Sequence, residues 1–239
     1  MPLYRYVKSY PKRPMARSVY ISFLLMGLGG GILIWVLWPI ASFHLLVTPV
    51  LSTVVSPLSS QNGIGAGISD VVYAEGASDT SLDYTNANVW FPKKPQKKVT
   101  QAVSAYTLKI SKLGINNAMV VIAGDDLNTS VIHYGGTALP GQVGNGVLFG
   151  HSILPQFFDP KNYKSIFSTL PKLEIGDTIS IMYDGIEYTY IVQEMNVTSP
   201  DDLTMLDQPH DDSYITLVTC VPPGTYWQRL HVLAKLSKI

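Results

Sequence analysis

One side chain in this 239-residue sequence has the chemistry of a strong nucleophile, its only cysteine, Cys220. The thiol ends a β-rich run, Thr-Leu-Val-Thr-Cys at 216–220, and the Val-Pro-Pro-Gly after it cannot continue a central strand. Cys220 is therefore expected at a strand end beside a loop, where catalytic groups are usually found. A second β-rich run opens with Arg229. If the two strands are neighbours, the Arg229 cation favours the thiolate and can hold an oxyanion.

A single cysteine also limits the alternatives. It excludes an internal disulfide and a cysteine-rich metal site. The simplest other interpretation of Cys220 is a small buried apolar residue without a catalytic role.

A nucleophilic cysteine usually needs a partner that accepts and returns a proton. Five histidines are available: His44, His133, His151, His210 and His231. His151 ranks first, because it follows a short apolar run that ends in glycine and so also lies at a strand end. His231 ranks second, because on a strand it shares a face with the arginine two residues before it, and it either lines the site or packs on the fold. His44 adjoins an apolar segment, His133 suits an ordinary half-buried position, and His210 lies in an acidic polar loop.

The charges balance to a formal net charge of zero, which argues against nucleic acid as the main partner. They are strongly segregated, however. Residues 1–17 carry only basic charges, and no Asp, Glu, Lys or Arg occurs between residues 18 and 69.

The uncharged stretch 19–40 is long enough to cross a bilayer as a helix. Its glycines suit a transmembrane helix, and Trp35 and Trp38 lie near one end, where interfacial aromatic rings are common. The basic flank predicts that the amino terminus stays in the cytoplasm and that the rest is extracellular. The short apolar stretch 43–58 is interpreted as juxtamembrane; as a second span it would return the following domain to the cytoplasm.

These patterns divide the chain into a basic terminus (1–18), a transmembrane signal anchor (19–40), a juxtamembrane segment with a flexible linker (41–100) and a catalytic domain (101–239). Residues 59–98 are rich in small polar residues and lack apolar periodicity, which is typical of a tether.

The domain has short β-rich runs separated by turn residues. Asp184-Gly185 is a strong two-residue hairpin signal. Helical turns are expected at 161–170 and 201–206, and the pattern predicts a closed β-barrel or a sandwich. The runs are 106–110, 118–123, 146–149, 178–183, 186–197, 214–219 and 229–236.

Three short motifs, in order, resemble the sortase family. Residues 216–220 with Arg229 resemble its Thr-Leu-x-Thr-Cys strand and following arginine. Gly-Val-Leu-Phe-Gly-His-Ser at 146–152 is similar to the strand that leads into its catalytic histidine, and Leu-Lys-Ile-Ser-Lys-Leu-Gly-Ile at 108–115 to its opening strand. The resemblance covers residues 107–236.

This resemblance implies an all-β, closed eight-stranded barrel with one or two short helices, behind a membrane helix. It implies that Cys220 attacks the Thr–Gly bond of a signal similar to Leu-Pro-x-Thr-Gly and forms a thioester. His151 would protonate the leaving amine and deprotonate the incoming one, while Arg229 orients the substrate and stabilises the oxyanion. The partners would be surface proteins with such a signal and an acceptor amine from a cell-wall precursor or a pilin lysine.

Candidate substrate-binding residues flank the nucleophile or lie in the loop 198–213, which shapes the groove in the family. They are Thr219, Val221, Leu203 and Leu206, although Leu203 and Leu206 also suit the core of a short helix, and Thr219 suits a strand by β propensity alone. Some sortases use calcium near this loop, but its aspartates match no ligand spacing, so no metal or other cofactor is predicted.

Other protein classes fit less well. An L,D-transpeptidase would have Ser-His-Gly-Cys where this chain has Leu-Val-Thr-Cys, and a papain-like protease would have its cysteine before its histidine. A non-catalytic membrane-tethered barrel that binds wall polymer or protein would not need the His, Cys and Arg set. The subclass stays open: the absence of an apolar segment after the domain, and of an Asp-Pro-aromatic segment before it, favours a housekeeping role over pilus assembly.

Overall fold

The computed structural model describes residues 17–47, 83–90, 94, 96–97 and 103–237. Eight strands form the folded part. They are β1 Ala105–Ile110, β2 Ile115–Ile122, β3 Val131–His133, β4 Gly144–Phe149, β5 Thr178–Tyr183, β6 Ile186–Thr198, β7 Ser213–Val221 and β8 Gln228–Leu236.

The strands close into one barrel in the order β1-β2-β3-β4-β7-β8-β6-β5. Neighbours are antiparallel except for β2 with β3 and β4 with β7, which are parallel. Closure pairs every strand on both sides, so that no sheet edge is left open. The predicted all-β, eight-stranded closed barrel is confirmed.

Alternation along each strand separates the barrel core from its outer face. On β7, Ile215, Leu217 and Val221 belong to the main apolar cluster inside the barrel. Val218 and Cys220 belong to a second apolar cluster on the outer face. Cys220 therefore lies on the outside of the barrel wall, because side chains alternate along β7.

The predicted hairpin between β5 and β6 is present. Asp184 and Gly185 have φ values of 50° and 76°, as a tight two-residue turn requires, and Tyr183 pairs with Ile186.

Two predicted local features differ from the structure. Residues 161–170 form consecutive turns, and a 3₁₀ turn follows at Leu170–Lys172. The turn expected at 201–206 is shorter, a 3₁₀ turn at Thr204–Leu206, and a further one occupies Pro155–Phe157.

His133 lies on β3, a strand that the sequence patterns did not predict. The ring is fully buried rather than half-buried, with Tyr106 Oη 2.7 Å from Nδ1 and Thr137 Oγ1 3.1 Å from Nε2. Burial lowers the pKa of His133 to about 4, so the ring is neutral and structural.

The amino-terminal helix α1 covers Arg17–Ser42, and a π-helical turn, Phe43–Val47, continues it. Among the described residues, Val19–Val47 is the one stretch long and apolar enough to cross a membrane. Its side chains are mostly exposed, but Phe43 is buried against the barrel's main apolar cluster. The possible second span at 43–58 lies largely outside the described residues.

Because side chains alternate between the core and the outer face, two neighbouring residues on β5 are expected to contribute unequally to the free energy of unfolding. Ile181→Ala is expected to lower the free energy of unfolding by about 2–5 kcal/mol, because its fully buried side chain leaves a cavity. Met182→Ala, at a side chain 44% exposed, is the matched control and should change it by about 0.5 kcal/mol. Urea unfolding of the full chain in detergent micelles, followed by near-ultraviolet circular dichroism, measures both. Equal losses would contradict the assigned inward and outward faces.

Candidate active site

Strands β7 and β8 bring the two predicted catalytic residues together. Cys220 pairs directly with Arg229 across the antiparallel ladder, so both side chains leave the same face. Arg229 Nη1 lies 3.4 Å from Cys220 Sγ, and both residues are buried. The predicted contact between the cation and the sulfur is thus part of the strand register.

Arg229 is only 2% exposed, an unusual position for a charged residue. Within the described part of the chain, no carboxylate forms an ion pair with it. Its Nη1 also lies 3.4 Å from the carbonyl oxygens of Tyr226 and Gln228, and its Nε is buried without a hydrogen-bond partner among the described residues. A negative charge that develops beside this group would therefore be strongly stabilised.

His151, two residues after the end of β4, lies near Cys220 and Arg229. The parallel register pairs Phe149 with Val218, and continuing it by two residues sets His151 opposite Cys220. Two hydrogen bonds hold this turn to β7: Thr219 Oγ1 donates to the carbonyl of Gly150 at 2.8 Å, and Ser152 Oγ donates to the carbonyl of Cys220 at 2.7 Å. His151 Nε2 is buried and has no partner within the described residues.

Burial keeps both titratable groups uncharged in this arrangement. It raises the pKa of the Cys220 thiol to about 11, although the Arg229 charge acts in the opposite direction. It also lowers the pKa of His151, against the opposing effect of Asp126 and Asp83. At neutral pH the pair is therefore a thiol and a neutral imidazole, with a proton available for transfer from sulfur to the ring.

These groups have the components of nucleophilic catalysis. A thiol can attack a carbonyl carbon, a histidine can carry the proton, and a buried cation can hold the oxyanion. Cys220, His151 and Arg229, predicted from strand ends, come together at one end of the barrel.

A segment that the sequence patterns placed in the flexible linker covers this group. We call residues 83–90 the strap; its last residues form a short helix, α2, Ala87–Trp90. The Trp90 ring lies over the Arg229 guanidinium, 4.6 Å from its central carbon, and its centroid lies 6.1 Å from that of His151. Trp90 is buried and packs edge-on against Phe149, 5.6 Å between centroids.

Hydrogen bonds attach the strap to the loop between β2 and β3. The backbone of Ala87 donates to Asp125 at 2.9 Å, and Leu127 donates back to Thr85 at the same distance. Trp90 Nε1 is satisfied within the strap by the carbonyl of Tyr84, 2.9 Å away. The sequence signal missed was a short apolar run, Val89-Trp90-Phe91, within the largely polar stretch 59–98.

A groove of about 540 Å³ lies on the outer face of the same strands. Its floor includes Thr216 and Leu233, and the loop between β6 and β7 forms one wall. His231, the second-ranked histidine, pairs with Val218 across the ladder and lines this groove. Burial lowers the pKa of His231 to about 4, so it is a neutral polar group there.

The predicted substrate-binding residues occupy different surroundings. Thr219 and Val221 point away from the face of Cys220; Thr219 holds Gly150, and Val221 lies in the main core cluster. Leu206 is buried against the outer cluster that contains Cys220, and Leu203 packs beside it, half-buried. Among the described residues, no group of three or more His, Cys, Asp or Glu side chains could hold a metal ion.

Comparison with known proteins matches this domain to one family. A family model described as the Sortase domain matches residues 108–237, more than half of the chain. Sortase D of Bacillus subtilis (strain 168) is 27% identical over 111 residues, covering 45% of this chain and 50% of that protein. The chain thus aligns with about half the length of this curated relative.

Solved structures are similar as well. A lid mutant of Sortase A from Corynebacterium diphtheriae is 26% identical with a TM-score of 0.50, and the match covers 59% of this chain and 73% of that one. Sortase C-1 from Actinomyces oris is 25% identical with a TM-score of 0.50, covering 58% and 77% of the two chains.

The raised thiol pKa predicts a distinctive pH profile for alkylation. The rate of Cys220 modification by iodoacetamide should still be rising at about pH 10, because only the thiolate reacts and burial holds its pKa at about 11. The same chain unfolded in urea should reach half of its plateau rate at about pH 8.5 and level off about one pH unit higher. A plateau near pH 8 in the folded chain would contradict the buried, protonated thiol.

Because the strap covers the site, removing the Trp90 ring is expected to expose the Cys220 thiol. Trp90→Ala should speed alkylation at neutral pH, because contact with water lowers the raised pKa of the Cys220 thiol. Each fall of about one pKa unit raises the thiolate fraction about tenfold. Trp90→Phe, which keeps an aromatic cover, is the control and should stay near the wild-type rate. Equal rates for the alanine variant and the wild type would show that the strap does not restrict access.

Proposed function

Because this chain belongs to the sortase family, we propose that it is a membrane-anchored transpeptidase that acts through Cys220, His151 and Arg229. The observation that carries the proposal is the 3.4 Å contact between the Arg229 guanidinium and the Cys220 sulfur in a buried site that His151 also enters. A barrel that only bound a partner would have no need of an arginine that is buried beside its sole thiol without an ion pair among the described residues.

The first half of the reaction forms a thioester. The Cys220 thiol gives its proton to His151, and the sulfur attacks the carbonyl carbon of the threonine in a Leu-Pro-x-Thr-Gly-like signal. Arg229 stabilises the oxyanion of the tetrahedral intermediate. As the carbon–nitrogen bond breaks, the His151 imidazolium protonates the leaving glycine amine, and the acyl group remains on sulfur.

The second half transfers the acyl group. An incoming primary amine loses a proton to His151 and attacks the thioester carbonyl, through a second oxyanion beside Arg229. Collapse of this intermediate forms the new amide and releases sulfur, which recovers the proton from His151. One proton thus cycles between two groups whose pKa values burial has shifted toward their neutral forms.

The groove beside His231 receives the part of the signal that precedes the scissile bond. It runs along the outer face of β7 and β8, one residue pair beyond Cys220 and Arg229. An extended peptide fits such a face, since its side chains alternate at the spacing of the strand below.

The strap must leave before a peptide can bind, because Trp90 occupies the space over Arg229. One solved relative is described as a lid mutant of Sortase A from Corynebacterium diphtheriae, so that protein has a lid. We assign the strap the same kind of task here: it covers the site until substrate displaces it.

Helix α1 anchors the enzyme in the cytoplasmic membrane, with the basic residues 1–17 inside and the barrel outside. The substrates are surface proteins that carry the signal, and the acceptors are amines of a cell-wall precursor or of a pilin lysine.

The proposal predicts a covalent intermediate on one residue. The full chain in detergent, incubated with a pool of Leu-Pro-x-Thr-Gly-like peptides, should gain a peptide-sized mass that Cys220→Ala abolishes. Adding an amine should discharge it as a ligated product. Intact-mass spectrometry reads both steps.

Arg229→Lys serves as the matched variant, because it keeps the charge and loses the planar guanidinium. It should slow adduct formation while Cys220 remains open to alkylation. Turnover with alanine at 220 would end the proposal. A folded chain with a reactive thiol and no adduct across the pool would favour the non-catalytic barrel.

A further inference from the structure

Helix α1 contacts the catalytic end of the barrel rather than the opposite end. Strands β4 and β7 are parallel, so the loops that follow both lie at the end where His151 and Cys220 emerge. The carboxyl end of α1 meets these loops across a cavity of about 280 Å³. Its lining includes Trp38 and Ser42 from the helix, and Pro155, Pro171 and Pro223 from the barrel.

Two exposed aromatic rings flank this junction. Phe157, in the loop after His151, packs edge-on against Trp35, 6.2 Å between centroids. Trp227, just before β8, stacks on His44 at 6.1 Å. Even with these contacts Phe157 is 55% and Trp227 is 60% exposed, a large apolar area to leave in water.

The residues that these two rings contact determine how deep in the membrane the rings lie. Trp35 and His44 both belong to the apolar stretch Val19–Val47. Its 29 residues span about 43 Å as a helix, longer than the hydrocarbon core of about 30 Å. Its last turns therefore reach the interface, where aromatic rings are most favourable, and the two barrel rings lie at the same level.

The charge of the adjoining loop suits a lipid surface. Between β4 and residue 173, that loop carries Lys161, Lys164 and Lys172 against a single acid, Asp159. Basic groups beside an interfacial aromatic ring are attracted to anionic headgroups.

We propose that the end of the barrel carrying Cys220 rests on the membrane in which α1 is inserted, with Phe157 and Trp227 in the headgroup region. A soluble protein does not suit this surface, because both rings adjoin residues of the spanning stretch itself. The inference rests on the membrane anchor within the proposed function but not on the transpeptidase chemistry.

The consequence for catalysis is a preference for substrates held at the same membrane. Trp227 lies two residues before Arg229 and Phe157 six residues after His151, so the reacting bond must be presented close to the lipid surface. A donor or acceptor anchored in that membrane is confined to this layer, which raises its effective concentration.

Depth-dependent fluorescence quenching tests the placement. The full chain with Trp35, Trp38 and Trp90 replaced by Phe keeps Trp227 as its single tryptophan. It is reconstituted in phosphatidylcholine–phosphatidylglycerol vesicles whose acyl chains are brominated near the glycerol. Loss of most of the Trp227 emission, relative to unbrominated vesicles, is the expected result.

The control moves the reporter to the far end of the barrel. Ile186→Trp, in a chain with all four native tryptophans replaced by Phe, lies at the opposite end of β6 from Thr198, which pairs with Arg229. This reporter should keep its emission in brominated vesicles and lose it to aqueous acrylamide. Trp227 emission that acrylamide quenches and brominated lipid does not would overturn the proposal.

A second measurement avoids multiple substitutions. The absolute drop in tryptophan emission caused by the brominated lipid is compared between the native sequence and Trp227→Phe alone. A smaller drop in the variant supports the placement, and an unchanged drop contradicts it. Adduct formation with peptide, measured on the same vesicles, separates this result from the proposed function. If the peptide adduct forms and Trp227 is not quenched, only the membrane contact is rejected. If Trp227 is quenched and no adduct forms, only the transpeptidase proposal is rejected.

Discussion

The contact between a buried guanidinium and a buried sulfur is the constraint around which the rest of this molecule is arranged. Cys220 and Arg229 are cross-strand partners, so their 3.4 Å separation is set by the ladder of β7 and β8 and needs no loop to adopt a special shape. A cation without a carboxylate is costly to bury. Carbonyl oxygens of the loop before β8 and the face of Trp90 in the strap offset part of that cost, and both are weaker partners than an anion. The site is therefore electrostatically incomplete until negative charge develops beside it.

The strap and the junction with α1 both converge on the loop that leads into Arg229. Tyr84 of the strap stacks on Tyr226 at 4.3 Å, and His44 stacks on Trp227 at 6.1 Å. Neighbouring residues of one short loop therefore contact the cover on one side and the helix on the other. If the strap leaves, Tyr226 loses its stacking partner three residues from Arg229. The loop that leads into Arg229 thus contacts both the strap and helix α1.

The sequence allowed the strand-end positions of Cys220 and His151 and most strands to be predicted, because both depend on local patterns. A thiol before Val-Pro-Pro-Gly and a histidine after a glycine mark strand ends, and Asp184-Gly185 marks a hairpin. Closure of the barrel rested on the family resemblance, since no local pattern tells a barrel from a sandwich. Strand β3, at three residues, is too short for periodicity to reveal. The strap escaped prediction because Trp90 makes its contacts with Arg229, Phe149 and His151, all distant in sequence. Leu206 likewise packs inward on the barrel wall, a choice that a short apolar run leaves open.

Burial of Cys220 also bears on how long the protein stays chemically intact. Oxidation to sulfenic acid proceeds through the thiolate and needs access to the sulfur. With its pKa raised to about 11 and Trp90 packed over its partner arginine, Cys220 presents little thiolate and little surface to a peroxide. Because the chain has no other cysteine, a sulfenic acid here could not be rescued as an internal disulfide. A closed, protonated site thus also protects Cys220 against irreversible oxidation.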